Sequence, residues 1–253
     1  MKELNGKTAL ITGASRGIGA ATARLMASKG MKVVLAARSL SDCEQVVAQI
    51  KQAGGEAIAV ECDVAKYASV EAAVKLAVDN FGQLDILVNN AGIIDPIARI
   101  ADSDPDSWDA VVDINLKGVY HGLKAVLPAM EKRGSGTIIN ISSGAATNAL
   151  EGWSHYCATK AAVLSLTQCV HKEYAEHGIR CIGMSPGTVA TDMQVAIKNS
   201  GINPVSQMDF SAHIPPEWPA QAITWLCTEA AAEWSGTDFS LKTEKGRRLC
   251  GII

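Results

Sequence analysis

Six short runs along the chain are almost continuously apolar: "KTALIT" (7–12), "KVVLAA" (32–37), "EAIAVE" (56–61), "LDILVN" (84–89), "GTIINIS" (136–142) and "IRCIGMS" (179–185). A strand with one wet face would alternate apolar and polar residues. Runs this uniform read as strands buried on both faces, the habit of a parallel sheet. A seventh candidate, "TDFSLK" (237–242), is weaker. Between the runs the apolar period lengthens to that of a helix. "GIGAATARLMASKG" (17–30) ends in a Lys-Gly stop signal. "SDCEQVVAQIKQAGG" (41–55) opens with Ser41 and Glu44, the spacing of a capping box. "ASVEAAVKLAVDNFG" (68–82) follows, then longer helical patterns near 106–133 and 155–177. Repeated strand–helix–strand units predict right-handed crossovers, with helices on both faces of one sheet. No repeat or linker interrupts residues 1–191. Residues 192–216 have weak periodicity and three prolines. An excursion of that length inside one domain is expected to be a substrate lid.

Composition narrows the function. The 253 residues are 48% hydrophobic and 19% charged, enough for one large domain over 1–253. A net charge of −3 offers no footprint for nucleic acid and no patch for anionic membrane. No stretch approaches a membrane span, and the start lacks the apolar run of a signal peptide. The seven cysteines are scattered without a CxxC pair, and the five histidines lack ligand spacing. A cytoplasmic protein with reduced thiols and no metal is expected.

The stretch "TGASRGIG" (12–19) sits between the first strand and the first helix. Ligands of a doubly wound sheet bind beyond the carboxyl ends of its strands. Free N–H groups at the helix start attract phosphate, and glycines let backbone come close to it. A dinucleotide is the expected ligand. The second strand ends in Ala36, Ala37 and Arg38, with nothing acidic to repel a ribose 2′-phosphate. Arg38, aided by Arg16, can fork onto that phosphate, so NADP(H) is expected over NAD(H).

"YCATK" places Tyr156 and Lys160 on one helix face. An ordinary phenol is a poor acid–base group at neutral pH, and a nearby ammonium would lower its pKa. Ser143 lies at another strand's carboxyl end, where its hydroxyl could donate to a carbonyl oxygen. Only one of Ser142 and Ser143 should face the site, because neighbouring strand residues point to opposite faces.

Taken together, "TGASRGIG", "CDV" (62–64), "NNAG" (89–92), "INLKG" (114–118), "ISS" (141–143), "YCATK" and "SPGTVATDM" (185–193) make the chain resemble the short-chain dehydrogenase/reductase family over residues 7–193. The resemblance implies a single-domain α/β Rossmann fold, with a seven-stranded parallel sheet flanked by three helices on each side. It implies that Gly13, Ser15, Arg16, Gly17, Ile18 and Gly19 form the dinucleotide turn. Asp63 and Val64 would contact the adenine and Asn90 the adjacent ribose. Pro186, Gly187, Val189 and Thr191 would pass the nicotinamide end. Asn115, Ser143, Tyr156 and Lys160 would be the catalytic set. Tyr156 would exchange the proton, Lys160 would hold the nicotinamide ribose and depress the tyrosine pKa, Ser143 would orient the carbonyl, and Asn115 would hold a water at a distorted point of its helix. Spacing to the tyrosine favours Ser143 over Ser142.

The family often ends in a glycine-rich "DGG" stretch, whereas this chain ends "TDFSLKTEKGRRLCGII". A homotetramer or homodimer is expected. Ala145, Leu150 and Trp153, with Met193, Val195, Ile197 and Met208 from the lid, should line an apolar pocket suited to a ketone or keto ester. Arg99, Lys132 and Arg133 could assemble a basic patch for an acyl-carrier protein. His155 and Cys157 point away from the tyrosine face and carry no assigned chemistry. The leading expectation is reversible, NADPH-dependent carbonyl reduction. The rivals are 3-oxoacyl-carrier-protein reductase and a non-catalytic dinucleotide sensor.

Overall fold

The computed structural model describes residues 2–253. The strands are β1 (Thr8–Thr12), β2 (Lys32–Ala37), β3 (Glu56–Glu61), β4 (Ile86–Asn89), β5 (Gly136–Ile141), β6 (Ile179–Ser185) and β7 (Asp238–Ser240). They form one parallel sheet in the order β3-β2-β1-β4-β5-β6-β7. Every apolar run became a strand, including the weak seventh. The order reverses between β1 and β4, which opens a crevice at the carboxyl ends of the strands.

The helices are α1 (Gly17–Ser28), α2 (Leu40–Gln52), α3 (Tyr67–Phe81), α4 (Pro105–Val112), α5 (Gly118–Arg133), α6 (Ser154–Tyr174), α7 (Asp192–Ser200), α8 (Glu217–Leu226) and α9 (Glu244–Leu249). Strand alternation sorts the core into two layers. Ile11, Leu35, Val88, Ile139, Ile182 and Phe239 face a layer closed by α1, α2 and α8. Leu10, Val34, Leu87, Ile138 and Cys181 face the layer closed by α3, α5 and α6. Three helices therefore cover each face.

Three expectations change. The capping box at Ser41 does not form. Ser39 caps α2, its hydroxyl accepting from the Asp42 N–H at 3.4 Å. The chain turns into the helix one residue after Arg38, so Ser41 and Glu44 already lie inside it. The long pattern near 106–133 is α4 and α5 joined through a π-helical turn, Asp113–Lys117. The 192–216 excursion is more regular than its periodicity suggested. It begins with α7 and continues through short 3₁₀ turns. Its end is pinned to its start, since the Ile214 N–H donates to the Thr188 carbonyl (3.0 Å) and the Ala190 N–H to the Ile214 carbonyl (2.9 Å). The atypical tail forms α9, capped by Thr243 and held to α8 where Gln221 Nε2 donates to the Cys250 carbonyl at 2.9 Å.

Candidate active site

The glycine turn lies where α1 leaves β1. Gly13 has φ +63, and a Cβ there would sit 2.8 Å from Ala91 Cα, so a side chain is excluded twice over. A Cβ on Gly19 would fall on the Gly13 carbonyl oxygen, so Gly19 lies beneath the turn and lets α1 pack against it. Asn90 clamps the turn from β4's end, its Nδ2 donating to the carbonyls of Thr12 (2.8 Å) and Gly13 (3.0 Å). That use leaves Oδ1 as the amide group available to a ribose. Thr12 Oγ1 in turn accepts from the N–H groups of Asn90 (3.0 Å) and Ala91 (3.1 Å).

This turn forms one end of a cavity of about 1090 Å³ running across the carboxyl ends of the strands. Ser15, Arg16, Gly17 and Ile18 line it, with Arg38, Asp63, Val64 and Asn90. Pro186, Gly187, Val189 and Thr191 continue the wall toward Tyr156 and Lys160. The backbone cradle, its exclusion of side chains and the two arginines fit a dinucleotide. An acid beyond the expected Asp63 also stands here: Asp42, in the first turn of α2, lines the cavity, a placement hidden by its distance from the end of β2. Arg16 is mostly exposed and pairs with Asp192 of α7 at 3.3 Å, tying the glycine turn to the base of the excursion.

On α6 the buried stripe is Tyr156, Lys160, Val163, Thr167 and Val170, alternating by four and three residues. The tyrosine and lysine are therefore the first two positions of the face that packs on the sheet. Lys160 Nζ donates to the Ile141 carbonyl at 2.6 Å and stands 5.5 Å from the Tyr156 ring centre. Burial pulls the Lys160 ammonium down to about 8, opposed by the carboxylate of Asp238. Burial pushes the Tyr156 phenol up to about 12, opposed by the Ser143 hydroxyl beside it. Desolvation of the phenolate therefore works against the depression expected from the neighbouring lysine.

Both serines line the cavity, in different surroundings. Ser143 lies next to the phenol and accepts from the Ala145 N–H at 3.1 Å. Ser142 is buried, with its hydroxyl near Asp238. Asn115 sits in the π turn, fully buried. Its Oδ1 accepts from the Ile93 N–H and its Nδ2 donates to the Ile93 carbonyl, both at 2.8 Å. It does not line the cavity, and its side chain is spent on Ile93.

Ala145, Leu150, Trp153 and Met193 line the far end of the cavity. Trp153 is buried and meets the Tyr156 ring edge-on at 5.6 Å, so it both packs under the loop and lines the wall. From the excursion, Ile197 reaches the cavity but Val195 and Met208 do not, because α7 turns Val195 outward. Sequence reasoning missed Ile94, Asn148, Gln194, Val205 and Lys242. Lys242 was findable, since it lies two residues past the last strand's carboxyl end. His155 faces away, with Nε2 against the Ile94 carbonyl at 2.9 Å. The three basic residues do not assemble. Arg99 pairs with Glu151 at 2.7 Å outside the cavity lining, whereas Arg133 donates to the Leu84 carbonyl at the amino end of the sheet, beside Lys132. Among the described residues no group of metal-binding side chains occurs, and no helix is long and apolar enough to cross a membrane.

Comparison with known proteins agrees with this geometry. A family model described as short chain dehydrogenase matches residues 7–201. The chain is 41% identical over 244 residues to a 3-oxoacyl-[acyl-carrier-protein] reductase of Synechocystis, covering 95% of this chain and 97% of that one. It is 35% identical over 239 residues to glucose 1-dehydrogenase 2 of Bacillus subtilis, covering 93% of each. The crystal structure of levodione reductase superposes with a TM-score of 0.88 at 28% identity, covering 97% of this chain and 98% of that one.

Proposed function

Because the chain belongs to the short chain dehydrogenase family, an oxidoreductase family acting between CH–OH and C=O groups, we propose that it reduces a ketone or keto ester with NADPH. The observation that carries this reading is one continuous cavity. Arg16 and Arg38 stand at the glycine-turn end, and Ser143, Tyr156 and Lys160 at the other. NADPH, when bound, supplies the hydride that reaches the carbonyl carbon.

The rest of the reaction belongs to the chain's own side chains. The Ser143 hydroxyl donates to the carbonyl oxygen and orients it. Tyr156 delivers its phenolic proton to that oxygen as negative charge develops there. Its raised pKa keeps the proton in place until it is needed. Lys160 holds the nicotinamide ribose. In the oxidation direction Tyr156 is the base, and the positive charge of oxidised nicotinamide favours its phenolate. The Asn115 amide is used up, so its backbone carbonyl in the π turn is the group that would hold a relay water. Arg38 and Arg16 select the 2′-phosphate, although Arg16 must leave Asp192 to do so. Ala145, Leu150, Trp153 and Met193 favour an apolar substrate, and the 192–216 excursion acts as its lid. We expect a cytoplasmic homodimer or homotetramer, which light scattering tests.

The identity to the Synechocystis enzyme favours 3-oxoacyl-carrier-protein reductase as a second reading, while the separation of Arg99 from Lys132 and Arg133 weighs against it. The test is oxidation of NADPH and NADH against ketones, keto esters and acyl-carrier thioesters. Turnover should prefer NADPH and fall about a thousandfold in Tyr156→Phe. Arg38→Ala should erase the NADPH preference while sparing NADH. Much higher kcat/KM on a carrier thioester selects the second reading. Tight NADPH binding with no turnover on any substrate would move the protein to a non-catalytic sensor.

A further inference from the structure

The α6-facing side of the sheet carries a half-buried acid that the mechanism above does not use. Asp238 opens β7, beside Gly183 of β6, which in turn pairs with Asn140 of β5. These three positions lie on the same face of the sheet as Ser142 and Ser185, the face that α6 covers. Gly183 is what admits the carboxylate, since a Cβ there would lie 2.8 Å from Asp238 Oδ1. Ser185 Oγ donates to Oδ2 at 2.6 Å. Oδ1 and the Ser142 hydroxyl are both buried without a well-formed hydrogen bond. A carboxylate oxygen buried without a partner is costly.

We propose that Asp238 is a positioning residue that keeps Lys160 in its ammonium form from behind the active site. The inference rests on Lys160 belonging to the catalytic set. Lys160 is buried, and its Nζ has a single neutral acceptor, the Ile141 carbonyl. An ammonium so placed would shed its proton unless an opposite charge stood nearby. The other titratable groups around it do not help. Tyr156 on its own helix and Cys181 on β6 are held neutral by burial, and Lys242 at the cavity edge is itself a cation. Asp238 is the group that opposes the desolvation of Lys160; burial raises the Asp238 carboxyl in turn, opposed by the Ser185 and Ser142 hydroxyls and by Lys160. Ser185 fixes the carboxylate by one oxygen and leaves the other free to act as counter-charge.

The test reads Lys160 directly. In cofactor-free protein with carbon-labelled lysine, the Lys160 NMR signal, assigned by its loss in Lys160→Arg, is followed against pH. In Asp238→Asn the titration midpoint should fall by about one pH unit or more. Asp238→Glu should restore part of it. The alkaline limb of kcat/KM for carbonyl reduction should move down in parallel. An unchanged midpoint in Asp238→Asn overturns the proposal. If that variant does not fold, Asp238→Ser, which leaves the space beside Gly183 open, gives the same two outcomes. A shifted midpoint with a fully active Tyr156→Phe would defeat the assigned chemistry and leave the Asp238–Lys160 coupling standing.

Discussion

The two faces of the sheet's C-terminal half are built from the same three strands and have opposite characters. Toward α8, Ile139, Ile141, Ile182, Met184 and Phe239 are all apolar and belong to one core layer. Toward α6, the alternate positions turn polar as the strands approach their carboxyl ends. Asn140, Ser142, Ser185 and Asp238 lie there over Tyr156, Lys160 and Thr167. Some of this face is well satisfied. Asn89 Nδ2 donates to Asn140 Oδ1, and Asn140 Nδ2 donates to Thr167 Oγ1, both at 2.9 Å. Nearer the site, the satisfaction becomes incomplete. One face stabilises the fold by burial, and the other holds polar groups in low dielectric at a cost in stability, where their charges act strongly on each other.

That contrast can be broken by substitution. Ile182→Ala on the apolar face should cost about 2–5 kcal/mol in denaturant unfolding while leaving kcat per folded molecule near the parent value. A large loss of kcat with little loss of stability would show that the faces are not separable. Ser143→Ala should lower turnover about a hundredfold or more, by loss of one donor to the carbonyl oxygen. Ser142→Ala, one residue away but turned to Asp238, should cost far less, and the reverse order would remove Ser143 from the catalytic set.

Lys160→Met should have a smaller effect and the opposite sign on stability. Burial lowers the lysine from 10.5 to about 8 in the folded protein. Below about pH 8 both folded and unfolded chains hold the proton, so the cost of burying the charge is fully present. Between about pH 8 and 10.5 the folded protein releases the proton first, and that cost disappears as pH rises. Near pH 7 the methionine variant should therefore melt higher than the parent while losing turnover, and the difference in Tm should shrink in alkaline buffer. A lower Tm at neutral pH would mean that Asp238 and the Ile141 carbonyl more than offset the burial.

Much of this molecule was readable before any coordinates. The seven apolar runs became seven strands because a parallel sheet buries both faces and leaves little room for polar residues. The glycine turn was readable because close backbone approach excludes side chains, and the Tyr156–Lys160 pair because helical spacing is fixed. The start of α2 was misplaced by two residues because Ser39 and Ser41 offer nearly the same capping signal, and only the path of the chain out of β2 selects between them. Val195 was misassigned to the pocket because weak periodicity does not tell which way α7 faces.

What the sequence determined by itself is local: strand and helix identity, the turn that must be glycine, and the residues that one helix places on one face. What only the tertiary structure decided is which distant groups share a buried environment. It set Asp238 behind Lys160 across three strands, spent the Asn115 amide on Ile93, and drew Arg16 to Asp192. It also buried the Tyr156 phenol, so that desolvation pushes it up. Desolvation and charge coupling depend on what surrounds a group in space, and sequence distance carries almost none of that information.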